Sequence, residues 1–306
     1  MKSLRVRVCQ LAAMVGVSAF LTLGVEAGGQ SAPKIPGTKS GFVTTADGVK
    51  IHYLESRPGS SAASGASILF VPGWTMPAWI WEKQIEHFSK THRVVAMDPR
   101  CQGESSQTGE GLSPEARARD IKAVVDRLHL APVVIVAWSM AVGETAAYVA
   151  QFGTQDIAGL VLVDDAPGAD LPDTAYRYLL VDFIAGFVQD RPRRTAEFAR
   201  TWFKKPQPEE YIHRVVEASL RTPTSVAAAL LAGKFGNDLR PALAKIDRPT
   251  LICAAGGPYQ RMVTALQSQI PGSRVEIFAE AGHALFVDEP ARFNSLLEEF
   301  VLHLDK

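Results

Sequence analysis

From residue 67 onward, short continuous apolar runs alternate with amphipathic stretches. The runs lie at 67–73, 93–98, 133–138, 157–164, 249–256 and 273–280. Between them are helical patterns, the clearest at 113–130, where Ser113 occupies the N-cap position and Pro114 the first turn. A final helical pattern covers 290–304. Buried strands that alternate with helices predict a parallel sheet covered on both faces.

Two segments depart from this alternation. Residues 41–56 alternate between apolar and polar positions around Asp47-Gly48, which predicts a β-hairpin. Residues 169–235 carry only helical patterns, such as the apolar pairs Phe183/Ile184 and Phe187/Val188 four residues apart. Because they follow the sixth strand, they predict a helical cap over the sheet edge where ligands bind.

The N-terminus has the features of an export signal. Lys2, Arg5 and Arg7 precede an apolar stretch that ends in small residues near Ala27. This pattern is typical of a secretory signal peptide at 1–27, although the stretch is also long enough for an uncleaved membrane helix. We therefore expect a secreted or periplasmic protein without stable membrane association after cleavage. Its core domain would comprise 28–168 and 236–306, with the cap at 169–235.

Composition excludes several classes of function. The chain has 306 residues, 47% of them hydrophobic, which is enough for a large core. Removal of 1–27 leaves 29 basic and 31 acidic side chains, so no basic excess indicates a nucleic-acid partner. Neither metal-ligand spacing nor a nucleotide-binding glycine motif occurs, and we expect no cofactor.

The stretch "VIVAWSMAVGETAAY" at 134–148 carries the candidate chemistry. A β-branched run stops at Ser139, and small helix-forming residues follow. This outline predicts a G-x-S-x-G nucleophile elbow in which Ala137 and Ala141 replace the glycines. The alternative is that Ser139 only caps the following helix.

Five motifs follow one another along the chain, each at a predicted strand end: "VPGW", "DPRCQGESS", "AWSMAVG", "LVLVDDAP" and "AGHALFVDEP". Together they resemble the α/β-hydrolase fold superfamily over roughly 38–306, in particular its esterase and cofactor-free haloperoxidase (perhydrolase) group. The resemblance implies an α/β fold with a mostly parallel central sheet flanked by helices and a cap inserted after the sixth strand. It also implies a Ser-His-acid triad.

The resemblance assigns the base to His283, in the loop after the last strand. The usual acid position, near Pro258, holds no acid. Some family members place the acid one strand earlier, which selects Asp164, with Asp165 in reserve. An Asp at this position also occurs in relatives as a structural turn residue, and this alternative stays open.

The family pattern takes its oxyanion hole from two backbone amides, here those of Trp74 and Met140. Pro72 stands where the family often has histidine. Cys101 replaces a glycine that is usual in its turn and is expected to be a buried small residue, although a redox or nucleophilic role is conceivable. In the family's strand order Cys101 and Cys253 lie roughly 19 Å apart, beyond disulfide reach.

These residues predict a serine hydrolase that cleaves carboxylic esters through an acyl-enzyme, with a hydrophobic small-molecule ester or lactone as its partner. Alternatives are a cofactor-free haloperoxidase/perhydrolase, a cofactor-free dioxygenase, or a non-catalytic ligand-binding protein on a hydrolase scaffold. The sequence leaves open the natural substrate, the acyl chain length and the oligomeric state.

Overall fold

An eight-stranded sheet organises the protein. The computed structural model describes residues 35–58, 65–168, 173–257 and 259–304, and only the backbone of 173–180. The strands are β1 (Lys39–Thr44), β2 (Lys50–Ser56), β3 (Ser67–Val71), β4 (Val94–Met97), β5 (Val133–Trp138), β6 (Ile157–Val163), β7 (Thr250–Ala255) and β8 (Arg274–Phe278). Their order is β1-β2-β4-β3-β5-β6-β7-β8, and only β2 is antiparallel to its neighbours. The predicted hairpin and mostly parallel sheet are confirmed.

Ten α-helices lie in the described part of the chain. They are α1 (Glu82–Phe88), α2 (Pro114–Arg127), α3 (Met140–Phe152), α4 (Asp173–Gln189), α5 (Arg191–Arg200), α6 (Glu209–Leu220), α7 (Thr224–Gly236), α8 (Gln260–Thr264), α9 (Leu285–Asp288) and α10 (Pro290–Leu304). Ser113 caps α2, since its side chain accepts a hydrogen bond from the Ala116 amide at 3.3 Å. Within the described ranges, no helix combines the length and apolar character needed to cross a membrane.

The strands are apolar on both faces because helices cover both sides of the sheet. Along β5, Val134, Val136 and Trp138 join the hydrophobic cluster that contains residues of α1 and α10. The alternate residues Val133, Ile135 and Ala137 join the cluster formed with α2 and α3. Since successive strand side chains point to opposite faces, one uninterrupted apolar run supplies both cores.

Helices α4 to α7 lie between β6 and β7, so the insertion of helices after the sixth strand is confirmed. The limits of the cap, 169–235, stay a prediction. The insertion is joined to the core by Trp74, whose indole Nε1 donates to the Ala227 carbonyl of α7 at 2.9 Å. On α4, Phe187 is buried, whereas its neighbour Val188 is 56% exposed. The predicted signal peptide, 1–27, lies outside the described residues.

Cys101 and Cys253 are both buried and free, as their expected separation predicts. Cys101 has a φ of +66°, a left-handed conformation that favours glycine. Burial raises the pKa of its thiol, and its Sγ donates to the Thr108 carbonyl at 3.2 Å. These features favour the buried, unreactive role for Cys101.

Candidate active site

Ser139 lies in a strained turn between β5 and α3. Its φ and ψ are +56° and −128°, and its amide donates to the Val163 carbonyl of β6 at 2.9 Å. A non-glycine residue held in such a region costs about 1–3 kcal/mol, which the surrounding packing has to offset. Ser139 occupies the N-cap position of α3, but its side chain forms no capping hydrogen bond there, which weighs against a role as a helix cap alone. The strained backbone is the geometry of a nucleophile elbow.

A glycine outside the elbow makes room for this turn. A Cβ atom on Gly73 would lie 2.8 Å from the Ser139 Cβ, closer than real Cβ contacts allow. Ala137 and Ala141, which occupy the usual glycine positions, are fully buried. The position that has to be glycine beside Ser139 is therefore Gly73, in the loop after β3. Sequence reasoning did not identify this role, because the contact exists only in the folded chain.

His283 and Asp164 form a hydrogen-bonded pair. The His283 Nδ1 and the Asp164 Oδ2 are 2.8 Å apart, and the Asp164 Oδ1 accepts from the Ala255 amide of β7 at 2.8 Å. Asp164 has a φ of +50° and is 7% exposed, directly after β6. The Trp138 indole donates to the His283 carbonyl at 2.9 Å and helps to hold the histidine loop. An imidazole oriented by a buried carboxylate is suited to act as a base.

Ser139 and His283 lie at the same edge of the sheet and are both partly open to solvent. The His283 side chain is 27% exposed, and Ser139 is of intermediate exposure. The Ser139 Oγ forms no hydrogen bond with any described residue. In free enzymes such contacts are often long and tighten only when substrate binds.

Asp165 lies beside Asp164 but has different partners. Its Oδ1 accepts from the Ala166 amide at 2.7 Å, and its Oδ2 forms an ion pair with Lys234 of α7. Both carboxylate oxygens are thus engaged away from His283. The geometry favours Asp164 over Asp165 as the partner of the histidine.

Two backbone amides next to Ser139 are available to a substrate. The amides of Trp74 and Met140 donate to no acceptor within the described ranges, although both residues are at least nine-tenths buried. Met140 is the first residue of α3, where the helix dipole favours negative charge. Two free amides beside a serine can stabilise a developing oxyanion.

Gln102 connects the Trp74 loop to the turn after β4. Its amide nitrogen donates to the carbonyls of Gly73 at 3.0 Å and Met76 at 2.7 Å. Its amide oxygen accepts from the Thr75 amide and from the Arg117 guanidinium, both at 3.1 Å. Gln102 is fully buried, so this one side chain satisfies polar groups that have no access to water. No local sequence signal marks it, because its partners are distant along the chain.

We predict that Gln102→Met lowers both stability and activity. Methionine fills a similar volume but leaves the Met76 carbonyl without a donor and the Thr75 amide without an acceptor, at about 1–3 kcal/mol for each unsatisfied group. The Gly73 carbonyl would keep only the Met76 amide, at 3.2 Å. The displaced loop should lower kcat about tenfold, because the Trp74 amide would no longer be held in position. Thermal unfolding and ester hydrolysis measure the two effects. An unchanged kcat together with a lowered Tm would show that the position of the Trp74 loop does not affect activity.

A second Ser-His-Asp arrangement joins β1, β2 and the turn after β4. The His52 ring contacts the Ser40 Oγ at 2.8 Å and the Asp98 Oδ2 at 2.7 Å. Ser40 lies in β1, in register with Leu54 of β2, without the positive φ of an elbow. The Asp98 Oδ1 also accepts from the Ala78 amide at 2.6 Å, which ties the turn after β4 to the core. Sequence reasoning did not single out this group, and its geometry is that of a structural network.

The surroundings of the site are apolar and aromatic. Trp74 and Met140 cluster with buried residues of α4 and α7: Phe187, Val226, Ala227, Leu230 and Leu231. The partly buried rings of Phe183 and Phe198 pack against this cluster. Within the described ranges, no three His, Cys, Asp or Glu side chains converge closely enough to hold a metal ion. The absence of a cofactor stays a prediction.

Known proteins are similar to this chain in sequence. A model of the Alpha/beta hydrolase family matches residues 68–296. The AB hydrolase superfamily protein YisY of Bacillus subtilis (strain 168) is 30% identical over 250 residues, which are 77% of this chain and 91% of that protein. The bifunctional esterase/perhydrolase DCH of Acinetobacter calcoaceticus is 37% identical over 128 residues, 42% of this chain and 45% of that protein.

A solved structure agrees with these matches. The esterase EaEST of Exiguobacterium antarcticum superposes with a TM-score of 0.78 at 25% identity, covering 86% of this chain and 99% of that one. The family match spans more than half of the chain, and the sheet order, helical insertion and elbow agree with it. The chain therefore belongs to the α/β-hydrolase family and is related to its esterase and haloperoxidase group.

Proposed function

We propose that this protein is a serine esterase that uses Ser139, His283 and Asp164 as its triad. The observation that carries the proposal is the positive-φ backbone of Ser139 between β5 and α3. Such strain persists only where the surrounding structure enforces it, and it turns the hydroxyl away from the helix end. The His283–Asp164 hydrogen bond and the two free amides support the same reaction.

In the proposed reaction, the Ser139 Oγ bonds to the ester carbonyl carbon and its proton passes to the His283 Nε2. The carbonyl oxygen becomes an oxyanion held by the Trp74 and Met140 amides. The bond to the leaving oxygen then breaks, and His283 donates the proton to form the alcohol. Water attacks the acyl-serine in the same way, which releases the carboxylic acid and restores Ser139.

The aromatic cluster at the site favours hydrophobic esters. Trp74 is 6% exposed and contacts the rings of Phe187, Phe183 and Phe198 at centroid distances of 5.0, 6.4 and 6.0 Å. Rings of this size contribute a large apolar surface for contact with an acyl or alcohol chain. We therefore place small-molecule esters with an apolar part, or lactones, among the substrates.

Covalent labelling tests the proposal directly. A fluorophosphonate probe should react with the full chain at Ser139 and stop hydrolysis of p-nitrophenyl esters in proportion to labelling. Peptide mass spectrometry locates the modified residue. Modification at Ser40, or hydrolysis that continues in fully labelled protein, would contradict the assignment.

Perhydrolysis is a second candidate activity, favoured by the similarity to the bifunctional esterase/perhydrolase. Hydrogen peroxide in place of water would attack the acyl-serine and release a peracid, with the proton returned to Ser139 through His283. Peracid formation from an ester and peroxide would reveal this activity. Because both reactions share the acyl-enzyme, labelling of Ser139 should abolish both together.

A further inference from the structure

Arg191 is a buried cation at the start of α5, against the candidate active site. It is 7% exposed, and its guanidinium carbon lies 4.9 Å from the centroid of the Trp74 ring and 5.4 Å from that of the Phe187 ring. One of its nitrogens, Nη2, donates to the Ser219 carbonyl at 3.1 Å and lies 3.3 Å from the Ser219 Oγ. The Trp74 ring that it covers belongs to the residue whose amide is a proposed oxyanion donor.

Within the described ranges, the Nε and Nη1 atoms of Arg191 have no hydrogen-bond partner, and no carboxylate forms an ion pair with it. Two other deeply buried arginines in the described part of the chain differ. Arg100 pairs with Asp120 at 2.5 Å, and Arg117 pairs with Glu144 at 2.5 Å. Burial lowers the pKa of Arg191 to about 10, so the guanidinium remains charged at neutral pH. An unpaired buried charge is costly, and its persistence points to a partner that binds from outside.

Further unpaired polar atoms lie on α5 and just beyond its end. Thr195 lies one turn after Arg191 on α5, and its buried Oγ1 also lacks a described partner. Trp202, just beyond α5, has an unpartnered Nε1 and packs on Trp138, at a centroid distance of 5.5 Å. The Trp202 carbonyl accepts from the Ala284 amide at 2.9 Å, next to His283. The segment from Arg191 to Trp202 thus runs from the Trp74 loop to the histidine loop.

We propose that Arg191 binds a carboxylate of the substrate, so that the preferred esters carry an apolar chain that ends in an ionised carboxylate. This inference rests on the proposed esterase function. The aromatic rings of Trp74 and Phe187 would contact the chain, and one unpaired N–H of the guanidinium, at Nε or at Nη1, would donate to a carboxylate oxygen. A hydrogen bond from an arginine to a carboxylate is charge-assisted, and it would supply the negative partner that the buried guanidinium lacks.

The test compares methyl hydrogen dicarboxylates with methyl alkanoates of equal acyl length, about four to eight carbons, using the full chain. The wild type should favour the half-ester in kcat/KM by about tenfold or more, as expected for a charge-assisted pair in a desolvated site. Arg191→Met should reduce this ratio to about one, and Arg191→Lys should restore part of it. Arg193→Met is the control, because Arg193 lies on the same helix with 61% of its side chain exposed.

The outcomes separate this inference from the proposed function. A wild-type ratio near one, or equal losses on both ester types in Arg191→Met, would leave Arg191 a structural residue and overturn the inference. Failure of the esterase proposal would appear instead as ester hydrolysis that does not depend on Ser139, or as none. In that case the binding affinity of a methyl hydrogen dicarboxylate for Ser139→Ala, with and without Arg191→Met, is measured by calorimetry. This measurement tests the inference and does not require turnover. Binding that is lost with Arg191 supports it, and no binding, or binding unaffected by the change, overturns it.

Discussion

Ser139→Ala is expected to lower kcat/KM for p-nitrophenyl ester hydrolysis by about 10⁴-fold or more. The substitution removes the atom that would bond to the acyl group, while the Trp74 and Met140 amides remain. Residual rates from binding and oxyanion stabilisation alone are small by comparison. The variant should fold normally, because the Ser139 hydroxyl forms no hydrogen bond with the described residues. Steady-state kinetics across an acyl chain-length series measures the loss.

Ser40→Ala is the matched control. Ser40 also contacts a His-Asp pair, but it lies in a regular strand. Hydrolysis should stay within about twofold of wild type, since removal of an exposed serine hydroxyl changes little. The opposite pattern, with activity lost in Ser40→Ala and kept in Ser139→Ala, would move the nucleophile to β1. Activity kept in both variants would exclude a serine mechanism at either position.

Asp164→Asn is expected to lower kcat by about 10³- to 10⁴-fold. The asparagine side chain can still accept from the Ala255 amide, so the fold should persist. It no longer supplies a carboxylate at the Nδ1 of His283. The imidazole would then no longer be held in the tautomer with its proton on Nδ1, and the imidazolium would lose the negative charge that stabilises it. Rates measured as a function of pH, together with Tm, separate this loss from unfolding.

Asp165→Asn provides the comparison at the adjacent position. It removes the ion pair with Lys234 of α7 and leaves the partners of His283 unchanged. Activity should fall by less than about threefold, because the partners of Asp165 are Lys234 and the Ala166 amide and do not include His283. A large loss in Asp165→Asn with little effect in Asp164→Asn would transfer the role of the acid to Asp165.

The fold was largely predictable because its signals are local. The apolar runs of β3 to β8 are bounded by turn residues, and the predicted limits of β5 and α10 agree with the structure at both ends. The apolar pattern at 79–90 predicts a single helix with Trp81, Ile85 and Phe88 on one face. The structure instead has a 3₁₀ turn at Ala78–Trp81 followed by α1, and the three predicted residues are buried. Periodicity identifies the buried face of a helix better than its hydrogen-bond type.

The candidate site was only partly predictable. Ser139, Asp164 and His283 follow strand ends, and parallel topology brings such positions to one edge. The sequence could not distinguish Asp164 from Asp165, because adjacent side chains diverge only once the backbone φ of the turn is known. The sequence also did not identify Gln102 and Arg191. The role of Gln102 depends on hydrogen bonds to residues distant along the chain, and that of Arg191 depends on its burial without a described carboxylate partner.

The sequence by itself determined the strand and helix pattern, the elbow at Ser139 and the family resemblance, because short-range periodicity and motif order encode these features. The tertiary structure decided which carboxylate reaches His283, that Gly73 makes room for the elbow, and that Arg191 is buried without a described carboxylate partner. These are distances between segments that only the packed sheet and cap bring together. The physical reason is that hydrogen-bond satisfaction and close packing are properties of the assembled interior, whereas periodicity is a property of the chain.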